Sequence, residues 1–223
     1  MNDPSRRKFI SKLAAATGAT AGLSAMSLPM LAGTAAVDPR VYKDADVWFK
    51  KVKGSHRIVY DAPQPHDGFS FIWSWSFYNT NNQTGTQDND MTAVVVLRHN
   101  AIPFAMEDKV WKKYKLGEAF KITDNTTGAA AERNPYYIPK KGDYPMPGID
   151  GLKALQERGV MVCVCNLALT VDSAMVAQSM GLDPEVATKE WKEAVLPGIQ
   201  VVPSGVWALG RAQENGCGYI FAG

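Results

Sequence analysis

The sequence predicts an α/β fold, a single-domain layered sheet of mostly parallel strands flanked by helices. The clearest indication is residues 93–97, Ala-Val-Val-Val-Leu, because a continuous apolar and β-branched run is typical of a strand buried on both faces of a parallel sheet. Residues 160–165, Val-Met-Val-Cys-Val-Cys, form a second run of this kind. Segments with the apolar spacing of helices lie between such runs, and this alternation favours right-handed crossovers between parallel strands.

The individual elements are predicted in chain order from apolar spacing and turn residues. Strands are expected at residues 58–60, 91–97, 160–165, 199–202 and 219–221, and helices at residues 69–78, 103–114, 150–158, 173–180, 183–195 and 206–215. Pro103 and Pro184 support two of the helix starts, because the first helical turn needs no backbone N–H donor.

Residues 115–147 show neither the helical nor the strand period. They are rich in Asn, Thr, Gly, Pro, Tyr and Lys, and they are too numerous for an ordinary connection. We therefore expect an extended loop here, and long loops of this kind are usually functional or mobile.

The N-terminal segment has the order of a twin-arginine export signal. Residues 5–10, Ser-Arg-Arg-Lys-Phe-Ile, precede a modestly apolar run, and no charged residue occurs between Lys12 and Asp38. Small residues at 34–36 provide a cleavage site after Ala36. A membrane anchor is disfavoured, because the run is shorter and more polar than the ~20 apolar residues of a spanning helix. The sequence thus predicts a signal at residues 1–36, a mature domain at residues 37–223 and a periplasmic location.

The charge balance of the mature chain excludes some classes of partner. The whole chain has 24 Lys and Arg and 22 Asp and Glu. Four of the bases and one of the acids lie in the predicted signal, so 20 basic and 21 acidic residues remain. A net charge near −1 gives no basis for binding nucleic acid or, after signal cleavage, a membrane surface.

The three cysteines, Cys163, Cys165 and Cys217, match no known cofactor spacing. The sequence has no CxxC, no CxxCH haem attachment and no zinc spacing, so we expect no cofactor and no metal site. An odd count leaves at least one thiol without a partner in the chain. A Cys163–Cys165 disulfide is disfavoured, because side chains at i and i+2 of a strand lie about 6–7 Å apart.

Candidate functional residues follow the ends of the predicted strands. Ligands of open α/β sheets bind beyond the carboxyl ends of the strands. The side chains found there are Asp61, then Arg98, His99 and Asn100, then Cys165 and Asn166, then Ser204 and Gly205. If the strands are parallel, these groups meet at one edge of the sheet.

Cys165 is the best single candidate, because it ends its strand where backbone N–H groups of the next segment can stabilise a thiolate. The alternative is a small buried apolar residue, the commoner state of cysteine. Cys163 points to the same sheet face from deeper in the layer and is expected in the core. Cys217, in a Gly-Cys-Gly turn, is expected to be structural or exposed.

The other candidates each have a functional and a structural interpretation. His99 is a proton carrier or a histidine satisfied by backbone groups. Arg98 holds an anionic substrate or belongs to a surface ion pair. Ser204 and Gly205 suggest an anion-binding turn, although the lysine and glycine pattern of a phosphate loop is absent from the sequence. The aromatic residues at 69–78 have helical spacing and indicate core or a subunit interface.

Several segments together resemble the DsrE/DsrF-like sulfur-relay family. They are residues 94–105 (VVVLRHNAIPFA), 152–160 (LKALQERGV), 164–169 (VCNLAL), 196–205 (LPGIQVVPSG) and 213–220. In the expected order they span about two-thirds of the mature chain. The resemblance implies a small α/β protein that forms trimers or hexamers and holds a persulfide on the cysteine after its third strand, which corresponds to Cys165. The insertion at 115–147, the aromatic segment at 69–78 and the export signal depart from a minimal member.

Two functional hypotheses follow. In the first, the protein is an exported sulfur-carrier or sulfur-handling protein, in which Asn166 and nearby amides support a persulfide on Cys165, and a sulfur donor or acceptor protein is the partner. In the second, it is a non-catalytic ligand-binding or assembly module in the periplasm, with packing cysteines and a partner at residues 115–147. Rapid alkylation of Cys165 in the folded protein favours the first hypothesis.

Overall fold

The computed structural model describes residues 39–223, and the predicted export signal lies outside this range. Strands β1 (His56–Ala62), β2 (Met91–Leu97), β3 (Met161–Cys165), β4 (Ile199–Val202) and β5 (Gly218–Phe221) form one sheet in the order β4-β3-β2-β1-β5. All adjacent strands pair in parallel. The predicted α/β fold with a parallel sheet is confirmed.

Helices cover both faces of this sheet. They are α1 (Pro39–Phe49), α2 (Phe69–Gln83), α3 (Asp108–Lys113), α4 (Leu116–Phe120), α5 (Leu152–Arg158), α6 (Asn166–Ser179), α7 (Pro184–Glu193) and α8 (Gly205–Glu214). Short 3₁₀ helices occupy His66–Gly68, Asp88–Asp90 and His99–Ala105. Helix α1 has no counterpart among the predicted elements.

Two predicted helices differ from the structure. The helix expected at 103–114 is divided, because Met106 is extended and pairs with Val195 while the Asn134 side chain donates to the carbonyl oxygens of Phe104 and Met106. The helix expected at 173–180 is α6, which begins seven residues earlier, at Asn166. A side-chain cap from Cys165 starts it there, and sequence periodicity does not reveal that cap.

The sheet separates two hydrophobic cores. The larger core lies on the face covered by helices α2 to α7. It includes Trp111, Trp191 and Phe104. The smaller core lies under α1 and α8. Every residue of β2 is buried, as expected for a central strand covered on both faces.

Residues 115–147 pack against the larger core instead of forming only an open loop. Leu116 of α4 and Tyr136 are buried in that core. Arg133 links two carboxylates within the segment: its Nη1 lies 2.9 Å from Asp143 Oδ2, and its Nη2 lies 3.0 Å from Asp124 Oδ2. Because Asp143 is completely buried, this ion-pair network holds the segment in one conformation.

Replacing Asp143 by alanine is expected to destabilise the fold by about 3 kcal/mol, because it leaves the largely buried Arg133 with one partner fewer. The free energy of unfolding in denaturant measures the effect. Lys189→Ala is the matched control: its pair with Glu193 is exposed, so the loss should stay below about 0.5 kcal/mol. Equal losses in the two variants would contradict a structural role for the buried network.

Candidate functional site

The strand register brings five polar or reactive side chains to one corner of the sheet. Val59, Val96, Cys163 and Val202 all belong to the smaller core. Side chains alternate between faces along a strand, so the groups two positions further on point to the same face at the carboxyl edge. Those groups are Asp61, Arg98, Cys165 and Ser204, and Tyr219 of β5 joins them through its bond to Asp61.

Cys165 is both the last residue of β3 and the N-cap of α6. Its Sγ accepts a hydrogen bond from the backbone N–H of Ala168 at 3.3 Å. The sulfur therefore lies at the N terminus of α6, where the backbone N–H groups of the first turn have no partners within the helix. The residue is only 6% exposed.

Arg98 and Asp61 form a two-bond ion pair next to this cysteine. Arg98 Nε donates to Asp61 Oδ1 at 2.6 Å, and Nη2 donates to Oδ2 at 3.0 Å. Asp61 is 2% exposed, so its charge depends on this partner for compensation. The pKa of Arg98 is raised, mainly by the hydrogen bond to Asp61 and to a smaller extent by nearby groups that include Cys165. The guanidinium therefore lies within the electrostatic range of the sulfur.

Tyr219 completes the network from the edge strand. Its hydroxyl donates to Asp61 Oδ2 at 2.8 Å, which ties β5 to the residue that holds Arg98. Partial burial and this hydrogen bond raise the pKa of Tyr219, so the hydroxyl remains a donor at neutral pH. Sequence reasoning missed both Tyr219 and the pairing of Asp61 with Arg98. The sequence feature that could have indicated them is a carboxylate on β1 and a tyrosine on β5. These two strands are neighbours where the order of strands in the sheet reverses.

Ser204 and Gly205 support the site at the start of α8. Ser204 Oγ caps α8 by accepting from Trp207 N at 3.3 Å. A Cβ on Gly205 would lie 2.6 Å from Arg98 Cβ, so only glycine allows the arginine stem to pass here. Ser204 thus fixes the start of α8, and Gly205 leaves room for the stem of Arg98.

His99 and Asn166 lie at the border of the site. His99 is exposed, has a left-handed backbone with φ of +50°, and makes no hydrogen bond to Cys165 in the described chain. It interacts electrostatically with Asp172 on α6. Burial raises the pKa of Asp172 to about 6, and His99 partly opposes this rise. Asn166 opens α6, where its carbonyl oxygen accepts from Thr170 Oγ1 at 2.9 Å.

The other two cysteines are packed in the smaller core. All three described cysteines are free thiols. Burial raises the pKa of Cys163 far above its usual range and that of Cys217 to about 11. Cys217 is buried, so the structural interpretation of this residue applies and the exposed one does not.

Apolar side chains form the outer rim of the site. Leu167, two residues beyond Cys165, is 59% exposed, and Val206, two residues beyond Ser204, is 69% exposed. Val171 and Met175 continue an exposed apolar stripe along α6 at intervals of four residues from Leu167. The two helices that begin at this corner therefore carry exposed apolar side chains in their first turns.

A cavity of about 460 Å³ opens elsewhere, between the residues that follow β1 and the end of α4. Its lining includes His66, Asn100 and Lys121 but not Cys165. Within residues 39–223, no cluster of three His, Cys, Asp or Glu side chains is arranged to hold a metal ion. In the same range, no helix combines the length and apolar character needed to cross a membrane.

No protein-family model and no curated protein matches the chain. Among solved structures, the chain is similar to the protein of unknown function MTH1491 from Methanobacterium thermoautotrophicum. The match has 17% sequence identity and a TM-score of 0.40, and it covers 75% of this chain and 100% of that chain. A similarity of this extent carries no argument about activity, so the site is interpreted from its own geometry.

The geometry predicts an order of thiol reactivity. Iodoacetamide at pH 8 should modify Cys165 first, because a thiol of pKa about 11 such as Cys217 is only about one part in a thousand thiolate at that pH, and Cys163 is completely buried. Mass spectrometry of the tryptic peptides measures the three rates. Cys165→Ser should leave the slow labelling of the other two thiols unchanged. Labelling of Cys165 only after denaturation would contradict the prediction.

Proposed function

We propose that this chain is an exported sulfur carrier of the DsrE/DsrF-like family, which holds a sulfane sulfur as a persulfide on Cys165. The observation that carries the proposal is the hydrogen bond from Ala168 N to Cys165 Sγ at the carboxyl end of the third parallel strand. The free N–H groups and the dipole of a helix N terminus favour negative charge, so the position suits a thiolate and a persulfide anion alike.

Arg98 provides the second support. Asp61 occupies Nε and Nη2 of the guanidinium, whereas Nη1 makes no hydrogen bond within the described residues. In this proposal, Nη1 is the nitrogen that donates to an anionic sulfur at Cys165. We assign Arg98 to this role, Gly205 and Ser204 to supporting its position, Asn166 to the start of α6, and His99 to proton exchange at the rim.

The proposed activity is that of a carrier more than of a turnover enzyme. Among residues 39–223, no carboxylate or imidazole donates to or accepts from Cys165 Sγ, so an adjacent general base is absent from the described site. A thiolate stabilised by amides and a guanidinium can accept and release sulfur without one.

Location and partners remain part of the proposal. Residues 1–36 are assigned as a twin-arginine signal, which leads to the periplasm, and a sulfur donor or acceptor protein is assigned as partner. A reporter fused to residues 1–40 tests the location: the double substitution Arg6→Lys and Arg7→Lys should stop its export, and unchanged export would refute the assignment.

A homo-oligomer, a trimer or hexamer, is proposed from the family resemblance. The exposed apolar stripe of Leu167, Val171 and Met175 on α6 offers a better contact surface than α2, whose aromatic side chains are buried or half-buried.

Met175→Glu should reduce the molar mass of the oligomer to that of a monomer, because it places a charge within the apolar contact. Light scattering at micromolar concentration measures the mass. Val47→Glu, at a similarly exposed apolar position on α1, is the control and should keep the oligomer. A monomeric wild-type protein would count against assembly altogether.

The persulfide itself is tested by mass spectrometry after incubation with polysulfide. Wild type and Cys163→Ala should gain the mass of one or more sulfur atoms on Cys165, because Cys163 is too deeply buried to react. Cys165→Ser should remain folded and lose the gain. Equal gains in wild type and Cys165→Ser would overturn the proposal.

A second candidate, a non-catalytic binding or assembly module, is favoured by one observation. Cys165 is only 6% exposed, and a cysteine this buried can serve packing alone. In that case polysulfide leaves the folded protein unmodified while the oligomer still forms.

A further inference from the structure

The charge on the sulfur donor can be inferred from the charge balance around Cys165. Arg98 follows Leu97, which pairs with Val164, so the strand register brings its positive charge to the same corner as Cys165. Asp61 already neutralises it through two short hydrogen bonds, and Asp61 is too deeply buried for water to screen its charge. With Cys165 as a thiolate, the corner therefore carries a net charge of −1.

The N terminus of α6 alters this balance only in part. A helix terminus contributes roughly half a positive charge, and here the Ala168 N–H is already directed at Sγ. It offsets part of the charge of the thiolate itself. Arg98, Asp61 and the Cys165 thiolate at the α6 terminus together leave no positive charge to attract an incoming dianion.

The apolar rim of the site also favours an uncharged donor over an ionic one. Leu167 and Val206 lie close to Cys165 and Ser204 in the chain, and more than half of the surface of each is exposed. They begin the helices that follow β3 and β4, two neighbouring strands in which Cys165 pairs with Val202. A donor with an apolar group can bury that group against these side chains, whereas a fully ionic donor gains nothing from them.

We propose that Cys165 takes its sulfur from a small organic hydropersulfide in its neutral form, RS–SH with an apolar group R, and discriminates against dianionic thiosulfate. This inference rests on the proposed function. The Cys165 thiolate attacks the outer sulfur of RS–SH, a new S–S bond forms at Cys165, and the old S–S bond breaks with its electron pair leaving on RS⁻. The proton stays on the transferred sulfur, so Cys165–S⁻ and RS–SH become Cys165–S–SH and RS⁻.

The experiment compares two donors on wild-type protein at equal concentration and pH. An alkyl hydropersulfide, released in solution from a precursor, should label Cys165 roughly tenfold faster than thiosulfate when each rate is divided by the rate of the same donor with free cysteine. This is the factor expected from one unfavourable charge contact near the surface. Mass spectrometry follows the gain of one sulfur atom. Added salt should speed the thiosulfate reaction, because it screens a repulsion, and should leave the hydropersulfide reaction nearly unchanged.

Two variants at the exposed rim test the same balance without risk to the fold. Leu167→Lys adds a positive charge and should raise the thiosulfate rate about fivefold. Leu167→Gln removes the apolar contact without adding charge, so it should lower the hydropersulfide rate and leave the thiosulfate rate unchanged. Asp61→Asn, which leaves Arg98 unneutralised, should also raise the thiosulfate rate wherever the variant folds.

The two possible failures are distinguishable. Thiosulfate labelling that equals or exceeds hydropersulfide labelling, both relative to free cysteine, or that slows with added salt, overturns the inference and leaves the sulfur-carrier function standing. Absence of labelling by either donor overturns the proposed function and the inference with it.

Discussion

The parallel register of the sheet is the constraint on which the rest of the structure depends. Because β2 is buried on both faces, β1 and β3 must pair with it at matched heights, and all carboxyl ends come to one edge. Residues separated by tens of positions in the chain then share one corner. A slip of one residue in any strand would turn its polar group to the opposite face.

The ion pair of Arg98 and Asp61 determines the electrostatics of that corner. A carboxylate buried as deeply as Asp61 is costly unless it is paired and hydrogen-bonded, and Arg98 and Tyr219 together provide both. In the same pair, the negative charge of Asp61 neutralises most of the positive charge of Arg98. The guanidinium can therefore donate a hydrogen bond to a bound group, but it attracts anions only weakly. An unpaired arginine in an open anion site would attract them strongly.

Burial of Cys165 limits what the site can do. Its sulfur has a backbone donor and a nearby guanidinium, but little open surface. Reaction at such a sulfur requires a small donor or a partner surface that fits the apolar rim at Leu167 and Val206. The cavity near Asn100 and Lys121 lies among other residues and does not widen this access.

The sequence by itself determined the fold class and the list of groups at the carboxyl edge, because strand burial and turn residues are local signals. The continuous run at 93–97 predicts a central strand, and the residue after each strand is then known. Only the tertiary structure decided which of those groups meet. The pairing of Arg98 with Asp61 and Tyr219, the cap that Cys165 makes on α6, and the ion-pair network within residues 115–147 join positions that no periodicity connects. The physical reason is that side-chain hydrogen bonds and charge compensation depend on distances set by packing, and a linear pattern does not contain those distances.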